Sequence, residues 1–272
     1  MITQAEHVFT QELAARHHAA TATRTLAITA GSGGVGKTQI AVNLAAALAA
    51  MRHRVLLIDA DANCGSAELL LDAGGPGHLA DVASGRRALA DVAIEGKAGV
   101  SVAAAFAEQA GLAGLPPWQR ERLARSLAAA GYDFILIDGQ LGALNMLSEA
   151  PEPIIVCTAG PESVAEGYAA FKQIARQRPG SRVKLLLNKA DADATEHAYR
   201  AIVAISRRFL GIAPEYAGCV PDDAAVQQAC GRRALFVTEY PDSAAGAAVR
   251  GIAARFCRSM RRHDGRIRRH GG

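Results

Sequence analysis

Residues 30–42 read AGSGGVGKTQIAV, and within them Gly31-Ser32-Gly33-Gly34-Val35-Gly36-Lys37-Thr38 satisfies GxxxxGK(S/T), the spacing of a phosphate-binding loop. The chemistry follows from the residue types. Glycines let consecutive backbone N–H groups turn inward onto phosphate oxygens without a Cβ in the way. A helix opening at Lys37 adds the partial positive charge of its N-terminus. The Lys37 ammonium neutralises terminal phosphates and the Thr38 hydroxyl is a Mg²⁺ ligand; Gln39 completes the candidate nucleotide contacts. A tightly packed glycine turn needs no lysine-threonine pair between a strand and a helix.

Carboxylates complete the set. FILID ends a buried strand at Asp138, where a carboxylate can hold the hydration shell of the metal. VLLIDAD ends another strand with Asp59 and Asp61 two residues apart. With a strand period of two they can share a side, one toward the metal and one toward an attacking water. A solvated turn capping the next helix would use the same residues, but it would not require the phosphate loop nearby.

These residues need a scaffold that gathers strand ends on one edge, and the chain supplies one. Apolar runs at 26–29, 55–59, 100–106, 134–138, 154–158, 183–188 and 216–220 alternate with helical patterns at 37–51, 118–130, 163–178 and 195–210. Strands apolar throughout suit a parallel sheet covered on both faces. The expected fold class is α/β: a doubly wound, mostly parallel sheet of about seven to eight strands with helices on both faces. Ligands in such sheets sit beyond the carboxyl ends of the strands, where the 30–38 loop, Asp59, Asp61, Asp138, Asn188, Asp191, Pro221 and Asp222 all fall. The expected organisation is a leader helix within 1–20, one domain over 21–262 that includes a final helix from about 243, and a basic tail over 263–272.

The bulk numbers exclude several classes. Half of the 272 residues are apolar, enough for a substantial core, but no run approaches the ~18 needed to span a bilayer. The first 18 residues lack the apolar stretch of a secretory signal. Five scattered cysteines without a CxxC argue against a disulfide framework or zinc site and for a reducing, cytosolic compartment. Residues 250–272 carry eight arginines against Asp264, a net +7, so the other 249 residues sum to −3 within a chain of +4. The basic character belongs to a tail, and no specific DNA binding is expected.

GSGGVGKTQIAVNLAAALA, VLLIDADANCGSAELLL and YDFILIDGQLG resemble the MinD/ParA group of phosphate-loop ATPases, and within it the FlhG/FleN regulators of flagellar number. The similarity runs over roughly residues 25–260. It implies ATP and Mg²⁺ as cofactors and an ATP-stabilised homodimer. It assigns Lys37 and Thr38 to phosphate and metal, Asp59 and Asp138 to the metal shell, and Asp61 to the attacking water. Asn188, Pro221 and Asp222 would hold the base. The leader TQAEHVF resembles the short helix with which FlhG proteins touch a partner GTPase, FlhF; an ordinary amphipathic leader reads the same. A transcriptional regulator is the other partner class the resemblance implies.

Two departures fall on catalysis. Group members usually read KGGxGK(S/T), the first lysine reaching the partner's phosphates across the dimer, whereas this chain has Ser32. A missing transition-state cation can cost on the order of 10³-fold in rate. The usual D-(T/S)-x-A-G is here Asp138-Gly139-Gln140-Leu141-Gly142. Binding is therefore expected to survive, with slow or absent hydrolysis and weakened coupling between the two copies of a homodimer. Asn188-Lys189-Ala190-Asp191 matches the NKxD with which many GTPases read guanine, while the resemblance points to adenine; both bases stay open.

Val249, Ile252, Ala253, Phe256 and Met260 form a helical stripe with most arginines off it. It reads either as the last core helix or as a surface helix at the inner membrane, with the tail adding weak attraction to anionic lipid or nucleic acid. Three functions compete: a flagellar regulator, a partition ATPase that binds DNA nonspecifically, and a nucleotide-sensing module without turnover.

Overall fold

The computed structural model describes residues 23–60, 66–105, 115–142 and 151–267. The expected leader helix and Asp61 lie outside the described residues. In chain order the elements are β1 (Arg24–Ala30), α1 (Lys37–Ala50), β2 (Val55–Asp59), α2 (Ser66–Leu71), α3 (Leu79–Ser84), β3 (Ile94–Glu95), β4 (Val100–Ala104), α4 (Pro117–Ala129) and β5 (Phe134–Asp138). They continue with β6 (Glu152–Cys157), α5 (Pro161–Gln177), β7 (Lys184–Asn188), α6 (Ala192–Leu210), β8 (Glu215–Val220), α7 (Ala224–Gly231), α8 (Phe236–Glu239) and α9 (Ala244–Ile267).

One eight-stranded sheet runs in the order β3-β4-β2-β5-β1-β6-β7-β8, parallel everywhere except at the two-residue edge strand β3. Because β1 sits between β5 and β6, the chain winds to one side of β1 and then to the other. The loop after β1 thus lies at the point where the winding reverses, the place where such sheets bind ligands.

Alternate strand residues feed two cores. Leu26, Ile28, Val55, Leu57, Phe134, Leu136, Ile154 and Val156 pack with α1, α2, α8 and α9 on one face. Ala27, Leu56, Ile58, Ile135, Ile137 and Ile155 pack with α3, α4, α5 and α6 on the other. Both faces being covered explains why these strands are apolar at every position. Helix α1 is buried at nine consecutive positions from Ile40 to Leu48, as a helix enclosed between a sheet and other helices must be. Its one buried polar side chain there is used: Asn43 Oδ1 accepts from Val237 N at 3.0 Å and ties α8 to α1.

The stripe on α9 docks on the fold. Val249, Ile252, Ala253 and Phe256 are all at most 4% exposed within the α1-side core. Arg255 donates to the Ala217 carbonyl of β8 at 2.7 Å. Arg24 donates to the Phe256 carbonyl at 2.7 Å, with its guanidinium 4.8 Å from the centre of that ring. Apolar area held this way is not available to a bilayer. The helix continues to Ile267, past the expected end near 262.

The opposite end of the sheet from the phosphate loop carries a ladder of ion pairs. Arg24 meets Glu152 at 2.6 Å, and Lys184 bridges Glu152 at 2.8 Å and Glu215 at 3.4 Å. Burial alone would raise the Glu152 carboxyl, but the hydrogen bonds and charges of Arg24 and Lys184 prevail and bring it from 4.5 to about 2. A depressed carboxyl stabilises the fold fully above its unfolded value near 4.5, and that contribution fades as pH falls toward 2. Glu152→Gln is therefore expected to cost about 2 kcal/mol at neutral pH and almost nothing near pH 2, less than the roughly 3–5 kcal/mol of a fully buried pair. Urea unfolding of both proteins across this range checks it.

Candidate functional site

The 31–36 loop leaves β1 and closes into α1 at Lys37. Two of its glycines are sterically required. Gly36 has φ of 89°, a left-handed conformation, and a Cβ there would collide with the Asn188 amide. A Cβ on Gly31 would lie 2.5 Å from the Glu166 carbonyl oxygen of α5. By contrast, a Cβ on Gly33 would meet nothing within 4 Å, so the outer side of the loop is open.

The sheet register brings the carboxylates together. Asp59 and Asp138 are directly paired on neighbouring parallel strands, and both follow the alternation that points to the α1 face. Both are buried. Asp59 Oδ2 accepts from Ala67 N at 3.0 Å, at the start of α2. Asp138 Oδ1 accepts from Lys37 Nζ at 2.6 Å, with the two side chains 1% and 12% exposed. Asp138 Oδ2 is buried with no hydrogen-bond partner, which for an ionised oxygen is costly unless a cation or its water faces it. Thr38 stands half-buried in the same first turn of α1, beside Lys37. This donor set of hydroxyl and carboxylate oxygens suits Mg²⁺, and the glycine loop with Lys37 suits a polyphosphate.

The two ends of the candidate base region behave differently. Asn188 Nδ2 donates to the Val35 carbonyl at 2.7 Å in a buried contact, and Lys189 Nζ donates to the Gly34 carbonyl at 3.1 Å. Asp191 caps α6, its Oδ1 accepting from Ala194 N at 2.8 Å. Pro221 lines a cavity of about 400 Å³ between α6 and β8, with Asp191, Thr195, Tyr199, Tyr216 and Cys219. Asp222 is exposed, whereas its neighbour Asp223 joins α7 to α9, accepting from Ala225 N at 2.9 Å and Ala245 N at 3.0 Å. Those amide bonds hold the Asp223 carboxyl below its ordinary range. Gln140 is exposed just after β5, and Gln39 accepts from Asn43 through its backbone carbonyl at 2.9 Å.

Two participants were not singled out from the sequence. Glu68, in the first turn of α2, has its carboxyl raised by burial and by the charge of Asp59. Its only sequence signal is an acid at a short helix start. Lys189 lay inside the NKAD match, but its contact spans 155 residues and no local pattern announces it.

Residues 26–94 match the CobQ/CobB/MinD/ParA nucleotide binding domain. The chain is similar to the antiactivator FleN of Pseudomonas aeruginosa, 31% identical over 235 residues that cover 84% of each protein. It is also similar to an uncharacterized ATP-binding protein of Methanocaldococcus jannaschii, 31% identical over 237 residues covering 85% of this chain and 86% of that one. In fold it is similar to the septum site-determining protein MinD complexed with Mg-ADP from Pyrococcus horikoshii, with a TM-score of 0.67 at 22% identity, over 85% of this chain and 94% of the other.

Proposed function

We propose that this chain, which belongs to the MinD/ParA family of phosphate-loop ATPases and is related to FleN, is a Mg-ATP-binding regulator that turns over slowly and acts through protein partners. The observation that carries this is the meeting of Lys37 with the half-satisfied, buried Asp138 at the mouth of a glycine loop that heads a helix. Similarity to an antiactivator supports a regulatory role, in flagellar assembly by the resemblance of the motifs to FlhG/FleN proteins. Partners in that reading are a second copy of the chain, an FlhF-like GTPase or a transcriptional regulator. The place of action is the cytosol, with at most weak peripheral attraction of the arginine-rich end to an anionic membrane. No helix among the described residues is long and apolar enough to cross a membrane.

The residues divide the work. Backbone N–H groups of Gly31, Ser32, Gly33, Gly34, Val35 and Gly36 bind phosphate oxygens, and Lys37 exchanges its Asp138 contact for the terminal phosphates. Thr38, Asp59 and Asp138 would hold Mg²⁺, directly or through its hydration shell. When bound, Mg²⁺ supplies charge neutralisation at the terminal phosphates. Asp61 orients the attacking water. Ser32 brings no charge to the transition state, so turnover on the order of 10⁻³ s⁻¹ or slower is expected, as in phosphate-loop enzymes that lack a finger cation. A phosphate-release assay at saturating Mg-ATP tests this: release at tens per second, abolished by Asp61→Ala, would refute slow turnover.

Adenine is favoured over guanine because the Asp191 carboxylate is already engaged as the α6 cap. Asp191→Ala is expected to cost about 1 kcal/mol of stability and to leave the preference for ATP over GTP unchanged. Competition titration checks it; a loss of GTP binding alone would instead make Asp191 a guanine reader.

A further inference from the structure

Two consecutive residues at the C-terminal end of β7 grip two consecutive carbonyls of the phosphate loop. Asn188 holds the Val35 oxygen and Lys189 the Gly34 oxygen. A planar trans peptide points its N–H away from its C=O. Drawing the Gly34 and Val35 oxygens toward β7 therefore turns the N–H groups of Val35 and Gly36 the other way. An ammonium on a carbonyl also polarises the peptide and makes its N–H a stronger donor.

The backbone at Lys189 supports a purpose beyond packing. Its φ is 56°, a left-handed conformation uncommon for a residue with a long side chain. The side chain is exposed, so its own packing does not compel that geometry. The α6 cap does not compel it either, because Asp191 provides the cap with extended backbone. What the conformation achieves is to lay the side chain across the loop: its Cε lies 4.0 Å from where a Cβ on Gly36 would be. Strain of this kind persists where the surrounding structure uses it.

We infer that Lys189 is a positioning residue for the phosphate loop, which with Asn188 sets the Val35 and Gly36 N–H groups toward a polyphosphate and brings an ammonium to a loop whose position 32 is uncharged. This rests on the nucleotide-binding reading of the same site. The chain's own residues supply every part of it, and the contact depends on a lysine or arginine at 189.

The test uses the full chain with Lys189→Met, Lys189→Arg and Lys189→Gly, titrated calorimetrically with ATP, ADP and AMP in Mg²⁺ and melted thermally. Lys189→Met is expected to weaken ATP binding by ~10-fold, the scale of one lost charge-assisted hydrogen bond, and AMP binding by less. Lys189→Arg retains affinity within about threefold, because a guanidinium can serve the same carbonyl. Lys189→Gly separates position from structure: glycine tolerates the left-handed backbone, so its melting temperature is expected to match or exceed that of the wild type while ATP binding falls as in Lys189→Met. Wild-type ATP affinity in Lys189→Met, or equal losses for ATP and AMP with a parallel fall in melting temperature, would overturn the inference. Absence of any nucleotide binding by the wild type would overturn the site reading and this inference together.

Discussion

Lys37→Ala is expected to weaken Mg-ATP binding by about 100-fold or more, the largest loss any single side chain of the loop should produce. The lysine is the one loop cation drawn inward, and its ammonium lies 2.6 Å from Asp138 at the strand end. Removing it takes away the neutralisation of the terminal phosphates. It also leaves the 1%-exposed Asp138 carboxylate without that cation, a change worth roughly 3 kcal/mol or more against the fold. The two effects are separable. In the double variant Lys37→Met, Asp138→Asn, no carboxylate at 138 is left without its cation, so the chain should melt near the wild-type temperature and still fail to bind. Thermal denaturation beside calorimetric titration reads both quantities. A Lys37→Ala protein that binds ATP as tightly as wild type would remove Lys37 from the site.

Ser32→Lys carries the second large effect, a gain. Ser32 is half-buried at the bend where the loop turns outward, and the neighbouring Gly33 and Gly34 face open space. With open space beside it at Gly33 and Gly34, a lysine at this position is expected to extend away from its own loop toward a second copy. The variant is expected to raise phosphate release by on the order of 10³-fold, the value of a transition-state cation, and to show an ATP-dependent dimer. Phosphate release as a function of protein concentration, with light scattering in the presence and absence of ATP, reads both. Unchanged turnover and mass would show that the uncharged position 32 is not what limits the reaction.

The seven apolar strands and the opening of α1 were legible because a parallel sheet buried on both faces writes an uninterrupted apolar run for each strand. Asp59 and Asp138 were legible as strand ends, and the register then makes them neighbours. What escaped has physical reasons. Strand β3 is two residues long, and α2, α3, α7 and α8 are four to eight residues long, too short for a helical period to show. The α9 stripe was visible, but its cover was not, since Arg24 and Arg255 fix it through contacts to residues 232 and 38 positions away. The carboxylate that joins α7 to α9 is Asp223, a role no local pattern in the 220–224 turn announces. The hold of Asn188 and Lys189 on the loop spans more than 150 residues, so no local pattern in the sequence announces it.

The basic end also looks different once packed. As a sequence, the stripe of residues 249–260 suits a membrane surface as well as a core. In the fold, four of its members are at most 4% exposed in the α1-side core, and two arginines bind backbone carbonyls around it. Up to Phe256 it packs over α1, α8 and β8.

The central claim is that this loop and its two strand-end aspartates bind a Mg-nucleotide. Isothermal titration of the full chain with ATP in Mg²⁺ tests it most directly. The expected result is saturable binding of one ATP per chain that weakens when Mg²⁺ is chelated and disappears in the Lys37→Met, Asp138→Asn variant. A folded wild-type chain that gives no binding heat with ATP or GTP, with or without Mg²⁺, would contradict it.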